Sequence, residues 1–246
     1  QLPVHYTWAE GNFFSISGNL GTQFPQAAGW AMAARYKGED QVTASWIGDG
    51  TTAEGDFHAA LTIASTYQAP VIFNIVNNQW AISSFQGIAA GDAPTFALKG
   101  LGYGLASLRV DGNDFLAVYA ATQWAAERAR AGLGATVIEH FTYRAGPHST
   151  SDDPSGYRPK DEFEKWPLGD PILRLKNHLI GLGEWDDERH EKLESALNDL
   201  VVKSYKEAES HGTLHDGPLS PVPSIFEDVS ADPDWRLVRQ RQDLGV

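Results

Sequence analysis

The run APVIFNIV at positions 69–76 restricts what this chain can fold into more than any other stretch. Its apolar residues are continuous rather than alternating, so it reads as a strand covered on both faces, the kind found inside a parallel sheet. Its surroundings repeat that theme. TQFPQAAGWAMAARYK (22–37) reads as a helix whose many Ala and Gly residues allow close packing, followed by a strand at 42–47 and a helix near 54–67. A Gly/Ala/Pro-rich loop and a short helix lead to LASLRV (105–110) and ATVIEHFTY (135–143), two further strands. Between them FLAVYAATQWAAERARA is helical, with Asp111, Asn113 and Asp114 placed to cap it. Strands alternating with helices imply right-handed crossovers, hence an α/β fold with a mostly parallel sheet flanked by helices.

The texture changes at Arg144. RAGPHSTSDDPSGYRPKDE is full of turn formers and almost free of aliphatic residues, so it reads as a surface loop. Beyond it Leu193, Ala196, Leu197, Leu200, Val201, Tyr205 and Ala208 recur at helical spacing behind a cap at Asp186. That stripe is core or subunit interface rather than a cofactor site. The proline-rich HDGPLSPVPSIFEDVS reads as an extended tail. The expected organisation is therefore an α/β core over 1–143, a loop region over 144–168, and C-terminal helices with the extended tail over 169–246.

Charge and composition narrow the function. The formal net charge is −13, which argues against a broad surface for nucleic acid or for an anionic membrane. No apolar run approaches the roughly 20 residues of a membrane span. There is no cysteine, which excludes disulfides, thiolate metal sites and a cysteine nucleophile, and fits a reducing compartment. The chain opens in QLPVHYTWAE without an initiator Met or a signal-like segment, and reads as a fragment or a processed chain.

The chemistry gathers at two strand ends. In WIGDGTTAEGD (46–56), Asp49 sits between two glycines where a strand gives way to a helix; in VNNQWAIS, Asn77 and Asn78 close the next strand. One crossover separates them, so a parallel sheet brings both to one rim. Asp49 by itself reads equally well as a helix cap or turn former. Together with Asn78 and the backbone carbonyl of Trp80 it makes an oxygen-rich site suited to Mg²⁺ alongside phosphate oxygens. The glycines allow backbone amides to approach a diphosphate at the start of the following helix.

That pairing matches the motif of thiamine-diphosphate enzymes. SGNLGTQFPQAAGWAMAA and YRAGPHSTSDDPSGYR resemble two stretches of the alpha subunit of the 2-oxo acid dehydrogenase decarboxylase component. HSTSDD, with PVHY near the start, is most similar to the branched-chain members of that family. The resemblance runs from about Leu2 to about Tyr205. It implies a thiamine-diphosphate-binding fold and oxidative decarboxylation of branched-chain 2-oxo acids, with the acyl group passed to a lipoyl domain. Subunits of this family carry a further N-terminal section, with an arginine and a tyrosine for the diphosphate, that is not part of this sequence.

By the same resemblance Asp49 and Asn78 would ligand Mg²⁺ through side chains and Trp80 through its carbonyl. Gly50 and Thr51 would offer amides to the diphosphate. Gly18 and Leu20 would lie beside the aminopyrimidine, with Leu20 wedging the cofactor into a bent form. Ser17, Asn19, Thr22 and Gln23 match positions that hold K⁺ in some relatives. His148 would face the diphosphate and the reacting centre as the catalytic group; as a bare residue it also reads as a solvated loop histidine, whereas His58 and His178 read as core histidines. Arg144, with Asp152 or Asp153, would staple the loop, and Tyr157 would brace it. Where some relatives have an arginine for phosphate, this chain has Val76.

The remaining implications concern partners. In this family the activating glutamate belongs to the beta subunit, so the resemblance implies an α2β2 assembly with a shared site, served by a lipoyl-bearing acyltransferase; that no carboxylate here matches the glutamate is consistent with it. Ser149 matches a phosphorylated position of mitochondrial relatives, but a second such position is Pro159 here, which favours an unregulated bacterial protein of the cytoplasm over one of the mitochondrial matrix. Pyruvate or acetoin as substrate, or a catalytically inactive α/β binding module, are the alternative readings.

Overall fold

The computed structural model describes residues 7–91, 95–212, 221–227 and 232–246. In chain order its elements are α1 (Gln23–Lys37), β1 (Thr43–Gly48), α2 (Gly55–Tyr67), β2 (Val71–Asn77), a two-residue ribbon of β3 (Trp80–Ala81) and β4 (Ser84–Phe85), and α3 (Gly87–Ala90). There follow α4 (Ala97–Gly102), β5 (Ala106–Asp111), α5 (Phe115–Arg130), β6 (Thr136–Phe141), α6 (Pro171–Gly181), α7 (Asp187–Ser210) and α8 (Trp235–Leu244). Two compact units are present, Gln1–Leu182 and Gly183–Val246.

The first unit is built on a four-stranded sheet in the order β1-β2-β6-β5, every pair parallel. The continuous apolar run does what its pattern requires, because β2 lies in the interior of the sheet and alternate residues serve opposite faces. Phe73 and Ile75 join a core with Phe24, Ala28 and Ala31 of α1 and Phe57, Leu61 and Ala64 of α2. On the other face Ile72 and Ile138 meet Ala121 and Ala125 of α5. The small residues of α1 and α5 let these helices lie close to the sheet, and three rings (Phe24, Phe57 and Phe73) fill the space that remains, with centroids 4.6 and 5.9 Å from that of Phe24. Asp114 caps α5 by accepting from the amides of Leu116 and Ala117 at 2.9 and 3.1 Å.

One polar arrangement crosses the second face. Asn74 of β2 donates from Nδ2 to the Ser45 carbonyl of β1 at 3.1 Å, and its Oδ1 lies 2.8 Å from Nε2 of His140 on β6. Both side chains are buried, and burial holds the His140 imidazole below its ordinary pKa.

In the second unit α7 begins at Asp186, which accepts from the Arg189 amide, and its stripe of Leu193, Leu197, Leu200, Val201 and Tyr205 is exposed. The tail departs from the extended expectation: Val222–Phe226 forms a 3-10 turn, because Pro221 and Pro223 preset φ and the Ser224 amide and hydroxyl both return to the Pro221 carbonyl. The remainder of that stretch, 215–220 and 228–230, lies outside the described residues. Asp234 then caps α8. One histidine expectation changes: His178 is exposed, while His58 is half-buried with Nδ1 2.6 Å from the Tyr103 hydroxyl; the buried histidine among the described residues is His140, on β6.

Candidate active site

Parallel register sets the rim. Gly48 lies opposite Val76 in the β1–β2 ladder, so Asp49 and Asn78 leave adjacent strands at the same end of the sheet. Asp49 starts a 3-10 turn over Gly50–Ala53 that leads into α2. The turn is closed by the Thr52 amide and hydroxyl, which donate to the Asp49 carbonyl at 3.1 and 2.7 Å. Gly50 is required for space, since a Cβ there would lie 2.4 Å from that of Ala81 in the β3–β4 ribbon. The turn thus rests directly on the ribbon that carries Trp80.

The Asp49 side chain is only 1% exposed, and its Oδ2 has no hydrogen-bond partner. Desolvation raises its pKa, opposed by the backbone amides of Asp49, Gly50 and Asn78 and by the charge of Arg144. A buried carboxylate oxygen with nothing to accept from is costly unless a cation completes it. Among the described residues no group of three or more His, Cys, Asp or Glu is placed to hold a metal. One carboxylate, one amide and one carbonyl suit Mg²⁺ when phosphate and water supply the other ligands.

The two asparagines have separate fates. Asn77 is buried: it donates to Glu139 and Gln86 at 2.8 Å each and accepts from the amide and side chain of Gln79 at 3.3 and 3.1 Å. Asn78 is half-buried and uses Oδ1 to accept the Trp80 amide at 3.2 Å. Backbone around Trp80 is held in an uncommon state, with Gln79 and Ile82 at φ of 75° and 54°.

Arg144 organises the approach to the rim. Its Nη1 donates to the Trp80 carbonyl at 2.7 Å, and Nη2 donates to the Ile82 carbonyl and the Tyr157 hydroxyl, also at 2.7 Å. Tyr157 donates on to Asp152 at 2.6 Å, and Asp152 accepts the His148 amide at 2.7 Å. The expected pair of Arg144 with Asp152 is therefore relayed through Tyr157, which holds the Asp152 carboxyl below its ordinary pKa; Asp153 instead caps the turn at Pro154–Gly156 by accepting from Ser155 at 3.0 Å. His148 and Ser149 are exposed.

Upstream, Ser17 Oγ, the Asn19 carbonyl and Thr22 Oγ1 converge, with separations of 2.6–3.3 Å. Gln23 Oε1 is buried without a partner, while its Nε2 reaches the Trp46 carbonyl at 3.4 Å. Leu20 is 65% exposed and Gly18 is exposed.

Two residues at the site were not legible in the sequence. Lys99, in the last turn of α4, donates to the Thr52 carbonyl and hydroxyl at 3.0 and 2.9 Å, from beneath the 3-10 turn. Glu162 accepts from Trp80 Nε1 at 3.1 Å and from the Tyr143 hydroxyl at 2.6 Å. A lysine in a short helix and a glutamate in a charged run carry no spacing signal of such roles.

Residues 1–216 match the family described as Dehydrogenase E1 component. The whole chain is 63% identical to the 2-oxoisovalerate dehydrogenase subunit alpha of Pseudomonas aeruginosa, spanning 60% of that protein. It is 46% identical over 91% of its length to the pyruvate dehydrogenase E1 component subunit alpha of Acholeplasma laidlawii, spanning 64% of it. It is 42% identical over its full length to the mitochondrial 2-oxoisovalerate dehydrogenase subunit alpha of Bos taurus, spanning 52%. The chain thus spans roughly half to two thirds of these relatives. The parallel sheet, the Asp49–Asn78 rim and a match over most of the sequence lead to one conclusion: the chain belongs to the dehydrogenase E1 component family.

Proposed function

We propose that this chain forms the cofactor-holding part of the alpha subunit of a branched-chain 2-oxo acid dehydrogenase, binding thiamine diphosphate through Mg²⁺. The observation that carries this reading is the buried, unpartnered Oδ2 of Asp49 on the same rim as Asn78. Asp49, Asn78 and the Trp80 carbonyl would hold the metal, and the amides of Gly50 and Thr51 would face the diphosphate. In place of the cation absent at Val76, Arg144 would supply positive charge, since its charge already acts on Asp49, whereas Lys99 is committed to Thr52 and the Ala89 carbonyl. Ser17, Asn19, Thr22 and Gln23 would hold K⁺, a reading supported by three converging oxygens and the orphaned Gln23 Oε1. Gly18 and exposed Leu20 would flank the aminopyrimidine.

When bound, thiamine diphosphate would supply the nucleophilic and electron-accepting chemistry that decarboxylation of a 2-oxo acid requires. His148 would donate a proton or hydrogen bond at the reacting centre during acyl transfer to a lipoyl arm. A beta subunit would contribute the activating carboxylate, giving an α2β2 enzyme that serves a lipoyl-bearing acyltransferase in the bacterial cytoplasm. Among the described residues no helix is long and apolar enough to cross a membrane. Similarity to a pyruvate dehydrogenase subunit keeps pyruvate as the second substrate reading.

The test is decarboxylation by the full-length alpha–beta complex, assayed with branched 2-oxo acids and with pyruvate. Branched substrates should be preferred, and purified alpha alone should be inactive. Turnover by alpha alone would overturn the shared site, and a preference for pyruvate would move the substrate reading.

A further inference from the structure

Glu162 lies in the loop region, yet one of its carboxylate oxygens reaches two strand exits. Trp80 follows β2 and donates its indole N–H at 3.1 Å; Tyr143 follows β6 and donates its hydroxyl at 2.6 Å, both to Oε2. The Trp80 ring packs on Phe85 and Tyr157, with centroids 5.4 and 5.5 Å apart, and Tyr143 packs on Phe163 and Trp166. Arg158 stands over the Tyr143 ring at 5.6 Å. The carboxylate therefore joins neighbouring strand exits through an aromatic wall.

The backbone before Trp80 is held by the amides of Thr142, Arg144 and Gln86, which donate to the carbonyls of Asn77, Asn78 and Gln79 at 2.9, 3.1 and 2.9 Å; Trp80 itself relies more on side chains. Its ribbon is two residues long on each side and is entered and left through positive-φ residues, Gln79 and Ile82. Two-residue strands supply few ladder bonds, so the direction of the Trp80 carbonyl depends on side-chain anchors. Those anchors are Asn78 on the amide, Arg144 on the carbonyl and Glu162 on the indole. Asn78 belongs to the rim itself. Arg144 and Glu162 both reach it from the loop region, Arg144 on the carbonyl and Glu162 on the indole.

We propose that Glu162 is a positioning residue for the rim: by holding the Trp80 indole and the Tyr143 hydroxyl together it helps fix the direction of the Trp80 carbonyl, and it gives the 144–168 region a second link, beside Arg144, to the metal site's support. This rests on the metal reading above. Groups that orient metal ligands without touching the metal commonly change affinity by about 10- to 100-fold.

The experiment uses the full-length subunit in its complex with beta, with Mn²⁺ as the probe at fixed thiamine diphosphate, free Mn²⁺ being read by electron paramagnetic resonance. In parallel, 5-fluorotryptophan labelling gives a ¹⁹F signal for Trp80, assigned by its loss in Trp80→Phe. Glu162→Leu should raise the Mn²⁺ half-saturation about tenfold or more and shift the Trp80 signal in the metal-free protein. Glu162→Gln, which keeps an acceptor oxygen, should stay within about twofold of wild type, well short of the loss expected for a disrupted support. Trp80→Phe keeps the backbone carbonyl but removes the indole donor; it should match Glu162→Leu, and the double variant should be no worse than either single one.

Wild-type binding by Glu162→Leu, with Asp49→Ala unable to bind, overturns the positioning role alone. Failure of wild type to bind Mn²⁺ saturably, or wild-type binding by Asp49→Ala, overturns the metal reading and this inference with it. If Glu162→Leu fails to fold, Trp80→Phe decides: wild-type half-saturation there overturns the proposal.

Discussion

Arg144 Nη1 donates to the carbonyl of Trp80 at 2.7 Å, which ties a loop guanidinium to the backbone oxygen proposed above as a metal ligand. The same side chain passes through Tyr157 and Asp152 to the amide of His148. Loop order and rim geometry are therefore one hydrogen-bonded system, with Arg144 at its centre.

Replacing Arg144 by Ala should release that system. Hydrogen bonds to charged groups contribute about 1.5–3 kcal/mol each, so the segment between Ala145 and Arg158 should open more often and be cut faster by protease. Arg144→Lys should be intermediate, because an ammonium cannot fork between two carbonyls and a hydroxyl as guanidinium does. Equal cleavage rates for all three proteins would contradict the relay.

Asp49→Asn should have opposite effects on stability and binding. Burial raises the Asp49 pKa, so ionising it at neutral pH opposes folding of the metal-free chain. Asparagine removes that charge without changing shape and should raise the metal-free Tm by about 2–4 °C, the equivalent of roughly 1 kcal/mol. It should also abolish the Mg²⁺-dependent part of thiamine diphosphate binding. Thermal melts and cofactor titration together check this, and a lower Tm for the variant would count against a buried carboxylate whose Oδ2 lacks a partner.

The adjacent asparagines should separate cleanly. Asn77→Ala removes the partner of Glu139, Gln86 and Gln79 in a buried network, and should cost about 1–3 kcal/mol in chemical denaturation. The folded fraction should still bind Mg²⁺ nearly normally. Asn78→Ala should do the reverse, weakening metal binding with little loss of stability. Similar profiles for the two would show that the side-chain directions have been read wrongly.

His140 gives a pH dependence of known sign. Its imidazole is held below the ordinary value of 6.5 by desolvation. As pH falls through 6.5 the unfolded chain takes up a proton that the folded chain refuses, so stability drops. Above that pH both states are neutral at this position and the contribution is flat. Urea unfolding at pH 7.5 and 5.5 should show the loss, and His140→Gln, which keeps a donor for Asn74, should reduce it.

The parallel sheet was readable in advance because a run apolar on both faces, broken only by Asn74, is satisfied between two covered faces. The rim was readable for a related reason: Asp49 and Asn78 stand at strand ends, and topology alone makes them neighbours. What stayed hidden depended on side-chain reach. Glu162 sits among exposed charges in the sequence, and only folding of the loop turns it toward Trp80 and Tyr143. His140 was hidden because a strand residue's burial depends on its neighbours, here Asn74. Of the tail expected to be extended, the described part is 221–227, and there Pro221 and Pro223 preset a turn that Ser224 closes.

The Ser45–Asn74–His140 arrangement on the sheet's second face acts as a ratchet against slippage. Apolar side chains on β1, β2 and β6 tolerate a two-residue slide, because every side chain would return to its own face. The amide and imidazole do not, because such a slide would part Asn74 from the Ser45 carbonyl and from Nε2, leaving buried donors and acceptors unmatched. The strands therefore have one acceptable alignment, and that alignment brings β1 and β2 to an end together. Levelness of Asp49 with Asn78 is inherited from a polar contact within the sheet, so an error made there during folding would surface as a misaligned rim at the proposed metal site.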